Sequence, residues 1–342
     1  MTLPIRKTYQ AMEAQPASEL PTGPDWQYEP KWDGFRCLAF RDGKRIDLES
    51  KSGKPLTRYF PELVAALKAL VAKQFVLDGE IVIPVDRSLS FDHLLMRIHP
   101  AASRIRKLSV ETPCVFIVFD LLVDEKGKSL VKLPLAERRE KLEQFAKEFL
   151  KRDSTIRLSP VTSDLSVARK WFQMGVGLDG VVAKRRDLPY QSGERTGMQK
   201  IKKQRSADCV VGGFRYLEKQ PLVGSMLLGL YNEHGKLDHV GFTSSIQAKD
   251  RPALTQKLKK LIKTPGFTGN APGGPSRWST KRSTEWQPLD PQLVVEVQFD
   301  HFTGGRFRHG TKFLRWRPDK NPHDCTLNQV QRESRATLDL LD

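Results

Sequence analysis

The pattern of apolar residues changes near residue 205, and this change limits the folds that the chain can adopt. Strand-like and helix-like patterns alternate from residue 28 to about residue 200, whereas short β-type runs dominate from about Ala207 onward. A chain of 342 residues can form two domains that each bury a core. We therefore predict an α+β domain over residues 1–203 and a β-barrel domain over residues 204–342, joined by a basic hinge at Lys203–Ser206.

The first domain carries clear signals for several regular elements. Asp42-Gly43 is a strong hairpin signal between two strand-like runs. Apolar residues at helical spacing predict a helix over Pro61–Lys73, with Val71 on its buried face. The other predicted elements are the strands Arg36–Phe40, Arg45–Leu48, Val76–Ile83 and Cys114–Leu122 and the helices Leu135–Leu150 and Leu165–Met174.

The second domain has the pattern of a small Greek-key barrel of the OB type, because about five strands with one intervening helix are typical of that fold. A helix is predicted over Pro252–Lys263, followed by a loop, Thr264–Ser283, that is rich in Gly, Pro, Ser and basic residues. The predicted strands are Asp208–Phe214, Ser225–Tyr231, His239–Thr243 and Leu293–Phe299.

The charge balance favours a polyanionic partner. Lys and Arg number 57 against 40 Asp and Glu, which gives a net charge of +17. Such a surplus favours nucleic acid, because neutralising phosphates releases condensed counterions. The alternative is an ordinary basic soluble protein.

The four cysteines show no zinc-binding spacing, so buried free thiols in a reducing compartment are expected. No secretory signal precedes the first domain, and no apolar segment is long enough to span a membrane. We therefore predict a cytoplasmic protein that makes no membrane contact.

Acidic residues interrupt two apolar runs of the first domain. Asp78 and Glu80 lie within Phe75–Ile83, and Asp120 lies within Val115–Leu122. Carboxylates in a buried strand are costly unless they bind something. We therefore expect these buried acids to bind something; two charges at a strand edge facing water are the alternative.

Six short motifs follow one another along the chain, beginning with Lys31-Trp32-Asp33-Gly34. Alone, Lys-x-Asp-Gly proves little, since chance would produce it in about 7% of chains of this length. The later motifs are Asp78-Gly79-Glu80, Phe119-Asp120-Leu121-Leu122, Asp179-Gly180-Val181-Val182-Ala183-Lys184, Lys200-Ile201-Lys202 and Arg317-Pro318-Asp319-Lys320. Together and in this order they resemble the signature motifs of the covalent nucleotidyltransferases, most closely those of the short stand-alone bacterial ATP-dependent DNA ligases.

That resemblance implies an ATP-grasp-like adenylyltransferase domain, with antiparallel sheets and flanking helices, followed by an OB-fold domain. The implied reaction seals nicks in double-stranded DNA during repair and recombination. AMP passes from ATP to a lysine and then to the 5′-phosphate, and the 3′-hydroxyl displaces it. The implied cofactors are ATP and Mg²⁺ or Mn²⁺. NAD⁺ is disfavoured, because only 30 residues precede Lys31.

The resemblance makes Lys31 the nucleophile that becomes AMP-lysine. An attacking amine must be deprotonated, whereas free lysine has a pKa near 10.4. We expect a metal ion and the charges of Lys200 and Lys202 to depress that pKa. Lys200 and Lys202 alternate around Ile201, so both project to one face and are expected to hold the α-phosphate. An ordinary solvated basic strand is the alternative for that pair.

The remaining nucleotide contacts are also carried over from the family. Glu29 is expected to accept from the adenine amino group, which favours ATP over GTP. Phe119 resembles the aromatic residue that stacks on adenine, although it could equally belong to the core. Arg36, Lys51 and Lys184 are expected to contact the nucleotide; Lys51 replaces the usual arginine and so lacks its bidentate fork.

Two carboxylates are expected to bind the metal ion. Glu80 would contact the ribose or the metal. Asp179 stands where many nucleotidyltransferases have glutamate, and a bridging water could make up for its shorter reach.

The resemblance also assigns residues outside the nucleotide pocket. Arg317 and Lys320 are expected to orient the departing pyrophosphate, which requires the two domains to close for that step. Arg58 lies in a stretch that resembles the short bacterial enzymes and is a candidate DNA contact. Local positive charge adds further candidates, which are Arg306 and Arg308 and the loop residues Arg277, Lys281 and Arg282. A solvated Arg58, and a loop that is merely a tolerated insertion, are about equally compatible with the sequence.

Several alternatives remain open at this point. An RNA ligase or a capping guanylyltransferase would share the lysine chemistry, and a non-catalytic nucleic-acid-binding protein would keep only the basic groove. We further expect a monomer, associated with the nucleoid during repair, with a possible Ku-like or other repair protein as its partner.

Overall fold

The computed structural model describes residues 3–85, 88–150, 155–174, 178–273, 285–330 and 337–341. The chain divides into two units, residues 1–203 with 333–342 and residues 204–332. The C-terminal segment differs from the prediction, which assigned it to the second domain. The short 3-10 helix Thr337–Leu341 belongs to unit one, where Leu340 and Leu341 pack against an apolar cluster that contains Trp32. Arg157 Nη2 also donates to Leu341 O at 2.7 Å.

Unit one contains two larger sheets, against which helices pack, and a small two-stranded sheet formed by Pro84–Val85 and Ser88–Leu89. Its helices are α1 (Pro61–Ala69), α2 (Phe91–Arg97), α3 (Ala102–Glu111), α4 (Leu135–Phe149) and α5 (Leu165–Met174). Its strands are β1 (Gln15–Ala17), β2 (Trp26–Trp32), β3 (Phe35–Asp42), β4 (Arg45–Ser50), β5 (Gln74–Val82), β6 (Pro84–Val85), β7 (Ser88–Leu89), β8 (Val115–Val123), β9 (Ile156–Leu158), β10 (Leu178–Arg185) and β11 (Met198–Lys202).

The chain passes from one sheet to the other at the first motif. The first sheet has the order β1-β11-β10-β2, and the second has the order β4-β3-β5-β8-β9. Lys31 is the last residue but one of β2 in the first sheet, and only Asp33 and Gly34 separate β2 from β3 in the second sheet. Gly34 is required at this crossing, because a Cβ there would lie 2.2 Å from Ile81 O and 2.9 Å from Glu80 Cγ. The close approach that this glycine permits is therefore to β5.

Local patterns explain most of the elements in unit one. The hairpin prediction is confirmed, and Gly43 adopts φ +61° in its turn. Pro61 begins α1, and Leu63 and Leu67 are fully buried. The predicted extension of that helix to Lys73 is wrong, since α1 ends at Ala69. Val71 therefore lies outside the helix and is 78% exposed instead of buried.

Unit two is a β-barrel, as predicted. Its main sheet has the order β14-β13-β12-β16-β19, and its two ends meet where Thr311 N donates to Phe242 O at 3.1 Å and Thr243 Oγ1 donates to Thr311 O at 2.9 Å. Its helix, α6 (Arg251–Lys259), is shorter than predicted. Its strands are β12 (Arg205–Leu217), β13 (Gln220–Tyr231), β14 (Leu237–Thr243), β15 (Gln287–Pro288), β16 (Val294–Phe299), β17 (Phe302–Thr303), β18 (Arg306–Phe307) and β19 (Lys312–Trp316).

All four cysteines are buried free thiols, as expected. Among the described helices, none has the length and apolar character needed to cross a bilayer.

Candidate active site

A cavity of about 190 Å³ in unit one is lined by residues from both sheets. Lys31 comes from β2, Glu80 and Phe119 come from the second sheet, and Lys184 and Lys200 come from β10 and β11. The crossing of the chain between the sheets thus places Lys31 beside residues that are far apart in sequence. Every motif predicted for the first domain contributes to this cavity or to its immediate surroundings.

Lys31 is held by a carboxylate. Its Nζ forms an ion pair with Asp179 Oδ2, and Lys202 Nζ lies 3.3 Å from the same oxygen. Burial lowers the pKa of Lys31, but the attraction of Asp179, with smaller contributions from Glu80 and Asp33, outweighs it and raises that pKa. The expectation of a depressed pKa for Lys31 is therefore wrong for this arrangement, because the contacting carboxylate favours the ammonium form.

The depressed pKa belongs to a neighbouring lysine instead. Burial lowers the pKa of Lys200, and the charges of Lys51, Lys31 and Lys202 lower it further. The side chains of these lysines are therefore close enough to repel one another, and an anion that entered among them would relieve the repulsion.

A β-bulge positions Asp179. The register between β10 and β2 shifts between Leu178 and Val181. Gly180, inside this bulge, adopts φ +138°, and a Cβ on it would lie 1.9 Å from Ile201 O. Only glycine fits at this position, and the bulge re-aims the preceding carboxylate toward Lys31.

At another part of the cavity wall, Glu29 is buried, and its carboxylate accepts two hydrogen bonds. Gln27 Nε2 donates to its Oε1 at 3.0 Å, and Lys184 Nζ donates to its Oε2 at 2.7 Å. The Lys184 ammonium also lies 4.3 Å from the centre of the Phe119 ring. Three residues that were predicted to contact the nucleotide, Glu29, Lys184 and Phe119, therefore lie together. Gln27, which the sequence did not single out, joins them.

Arg36 is fixed by Asp78 of the second motif, and Tyr190, which the sequence did not single out, holds Asp78 in turn. Its guanidinium pairs with both oxygens of Asp78, at 2.5 and 2.7 Å, and lies 4.4 Å from the centre of the Phe119 ring. Asp78 also accepts a hydrogen bond of 2.7 Å from Tyr190 Oη. Asp78 is fully buried, so these donors offset the cost of its desolvation.

Asp120 is likewise satisfied within the protein, because Arg138 donates to both of its oxygens at 2.9 Å. The acids buried in apolar strands thus do bind partners, and for Asp78 and Asp120 those partners are arginines of the protein itself. Of the three acids, Glu80 alone lines the cavity. Burial, partly offset by Arg36 and Lys31, raises the pKa of Glu80 to about 7.

The comparisons with known proteins agree with this geometry. Residues 8–202 match the family described as "ATP dependent DNA ligase domain", and residues 219–320 match the "ATP dependent DNA ligase C terminal region". The chain belongs to the ATP-dependent DNA ligase family. This membership decides among the open alternatives, against an RNA ligase, a capping enzyme and a non-catalytic binding protein.

Among the relatives of this ligase, DNA ligase C2 of Mycolicibacterium smegmatis is 41% identical over 351 residues, which cover 96% of each protein. LigD of Mycobacterium tuberculosis, a multifunctional non-homologous end joining DNA repair protein, is 30% identical over 306 residues, which cover 87% of this chain and 37% of LigD. A solved structure of a Lig E DNA ligase has a TM-score of 0.54 at 15% identity, covers 90% of this chain and 99% of its own, and shows the shared fold. The predicted combination of an adenylyltransferase domain and an OB domain is confirmed.

The ligase uses ATP and a divalent metal ion, as its family does. Among the described residues, no three His, Cys, Asp or Glu side chains form a cluster that could hold a metal. Mg²⁺ needs no such cage, because it is often bound by one or two carboxylates together with waters and substrate phosphates. Glu80 lines the cavity and contributes to the raised pKa of Lys31, and Asp179 contacts Lys31 directly. These two oxygen donors therefore fit a Mg²⁺ or Mn²⁺ ion.

A second, open groove of about 880 Å³ adjoins the cavity of this ligase. Arg36, Lys51 and Glu80 line both spaces. Arg58 is already engaged, since its Nη2 donates to Pro100 O at 2.7 Å and its guanidinium lies 5.2 Å from the Tyr59 ring centre. A role for Arg58 in DNA binding stays a prediction.

In unit two, the last motif forms an ion-pair network. Arg317 Nη1 donates to both oxygens of Asp208, at 2.8 and 3.0 Å, and Nη2 donates to Asp319 at 2.9 Å. Asp208 lies in β12 and was not predicted to belong to the site. Lys320 follows directly, and its backbone N donates to Arg317 O at 3.2 Å. This network fixes the loop that carries Lys320.

The predicted DNA contacts of unit two are only partly described. Arg306 is exposed on β18, and Arg308 is half-buried just after this strand. Arg277, Lys281 and Arg282 lie outside the described residues.

Proposed function

We propose that Lys31 is the nucleophile of this ligase. Its Nζ attacks the α-phosphorus of ATP; the new P–N bond gives lysyl-AMP, and the bond to pyrophosphate breaks. Support comes from its place in the cavity wall, its carboxylate partner Asp179 and its two neighbours Lys200 and Lys202. AMP then passes to the 5′-phosphate of a nick, and the 3′-hydroxyl displaces it to form the phosphodiester bond.

Deprotonation of Lys31 is the chemical requirement that this arrangement must meet. Asp179 contacts Nζ and can receive its proton, and the charges of Lys200 and Lys202 work against the ammonium form. We propose that Lys200 and Lys202 also hold the α-phosphate, where charge develops during the transfer.

We propose that adenine stacks on Phe119, whose ring Arg36 and Lys184 contact, and that Glu29 accepts from the adenine amino group. Glu29 retains lone pairs beyond those used by Gln27 and Lys184, because a carboxylate offers about four acceptor sites. Lys184 pairs directly with Glu29 and holds its carboxylate in place, and Arg36 is oriented by Asp78. Guanine would present an acceptor to Glu29, which explains a preference for ATP.

Glu80 and Asp179 are the proposed ligands of the divalent ion, and Glu80 could also contact the ribose. When bound, that ion neutralises charge on the transferring phosphate. Lys51 is proposed to contact phosphates at the junction of the cavity and the groove.

We propose that the two units correspond to an adenylyltransferase domain and an OB domain with separate tasks. Arg317 and Lys320 would act on pyrophosphate during the first step. Because Arg317 already pairs with Asp208 and Asp319, Lys320 is the cation better placed to meet the leaving group.

The decisive experiment uses α-labelled ATP and denaturing electrophoresis. We expect the protein to retain label, and Lys31→Ala to lose it without loss of folding or of nick binding. Lys44→Ala is the matched control, because Lys44 is an exposed lysine in the turn between β3 and β4. Covalent label on the Lys31→Ala protein would refute the assignment.

Nicked double-stranded DNA is the substrate of a DNA ligase, and we propose its contacts at Arg58, Arg306, Arg308 and the basic residues of Thr264–Ser283. We further propose a monomer that acts at the nucleoid in the cytoplasm with a Ku-like end-binding protein; the similarity to LigD, named for end joining, supports this context. Sedimentation would test the monomer, and stimulation of end sealing by an added Ku-type protein would test the partnership.

A further inference from the structure

Glu13 bridges two cations at the junction of the cavity and the groove. Its Oε2 lies 3.0 Å from Lys51 Nζ and 3.1 Å from Arg195 Nε. Its backbone N donates to Glu194 O at 2.8 Å, which ties it to the segment that carries Arg195. Glu13 and Lys51 line both the cavity and the groove. Neither Glu13 nor Arg195 belongs to any of the six motifs.

The same arrangement occurs twice around Lys200. Asp179 bridges Lys31 and Lys202, and Glu13 bridges Lys51 and Arg195. All four cations lower the pKa of Lys200, and Lys31, Lys51 and Lys200 line the same cavity. In each case a single carboxylate oxygen lies between two cations, which is also how a phosphate oxygen would be held.

We propose that Glu13 is an internal competitor for phosphate: it holds Lys51 and Arg195 in place until the phosphates of ATP displace it. Arg195 and Lys51 then form a phosphate-binding pair beside Lys200 and Lys202. This inference rests on the proposed binding of ATP in the cavity. It makes Arg195 a ligand of the nucleotide and Glu13 a residue that weakens nucleotide binding.

The ion pairs of Glu13 with Lys51 and Arg195 are weak enough for the phosphates of ATP to displace Glu13. The side chains of Lys51 and Arg195 are 51% and 62% exposed, so water screens both pairs. Exposed ion pairs contribute little each, so removing Glu13 should raise affinity for the triphosphate about three- to ten-fold. The gain should shrink with added salt.

The test measures binding of α,β-methylene-ATP, which cannot transfer AMP because a methylene replaces the bridging oxygen. We expect Glu13→Gln to bind this analogue more tightly and to bind adenosine unchanged. Glu194→Gln is the matched control, since it removes an equal charge from an exposed neighbour, and it should change neither affinity. Arg195→Ala should weaken binding of the analogue only.

A double-mutant cycle completes the test. The gain from Glu13→Gln should disappear when Lys51 and Arg195 are both alanine. The inference is overturned if Glu13→Gln leaves affinity for the analogue unchanged, if adenosine gains equally, if Glu194→Gln has the same effect, or if the gain survives in that background. Self-adenylation by the wild-type protein, measured separately, shows whether the proposed function itself holds.

Discussion

Replacing Glu80 with glutamine should stabilise the protein at alkaline pH while impairing its activity. Burial raises the pKa of Glu80 from an ordinary value of 4.5 to about 7, although Arg36 and Lys31 attract its charged form. The folded state therefore binds this proton more tightly than the unfolded state. Below about pH 4.5, Glu80 is protonated in both states and does not affect the free energy of unfolding. As the pH rises from about 4.5 to about 7, its buried carboxyl lowers the free energy of unfolding progressively, and above about pH 7 the loss is complete.

The size of this cost follows from the interval between the two pKa values. Each pH unit of that interval corresponds to about 1.4 kcal/mol, which gives an upper limit of about 3 kcal/mol at pH 8. The real cost should be smaller, because Glu80 lines a cavity that water can enter. We expect Glu80→Gln to raise the free energy of unfolding by roughly 1–3 kcal/mol at pH 8 and by little at pH 5.

Urea denaturation of both proteins from pH 5 to pH 8, without nucleotide or metal, measures this difference. Self-adenylation is followed in parallel, and the variant should lose most of it because Glu80 is a proposed metal ligand. Glu194→Gln serves as an exposed control and should show no pH-dependent gain. A constant difference across the pH range, or one that grows toward low pH, would refute the reasoning.

Three further predictions concern other parts of the molecule. Lys320→Ala should slow lysyl-AMP formation far more than sealing of a pre-adenylated nick; equal losses in the two assays would assign it to DNA binding or to the fold. Gly180→Ala should lower the melting temperature much more than Gly43→Ala, because both have positive φ but only Gly180 meets a backbone carbonyl; similar shifts would argue against a steric role. Asp179→Asn should lower the pKa of Lys31, which its carboxylate raises, so an amine-specific reagent should label Lys31 at lower pH; an unchanged labelling profile would contradict the ion pair.

The sequence by itself determined the parts of this protein that depend on local pattern. Asp42-Gly43 specified a hairpin, because a tight turn between strands needs residues that accept positive φ. The spaced motifs identified the family and the class of reaction, and they predict Lys31 as the nucleophile, because phosphoryl transfer to an amine needs those residue types together. The change of pattern near residue 205 separated an α+β region from a β-barrel.

Tertiary structure alone decided which charges meet. Asp78 has the same local pattern as Glu80, yet it pairs with Arg36 and with Tyr190, 112 residues away, whereas Glu80 faces the cavity. Strand register and a β-bulge determine such partners, and neither leaves a local signal. The raised pKa of Lys31 has the same origin, because it depends on a carboxylate that β10 brings to the end of β2. Local periodicity describes a face, but only the packed chain determines what that face contacts.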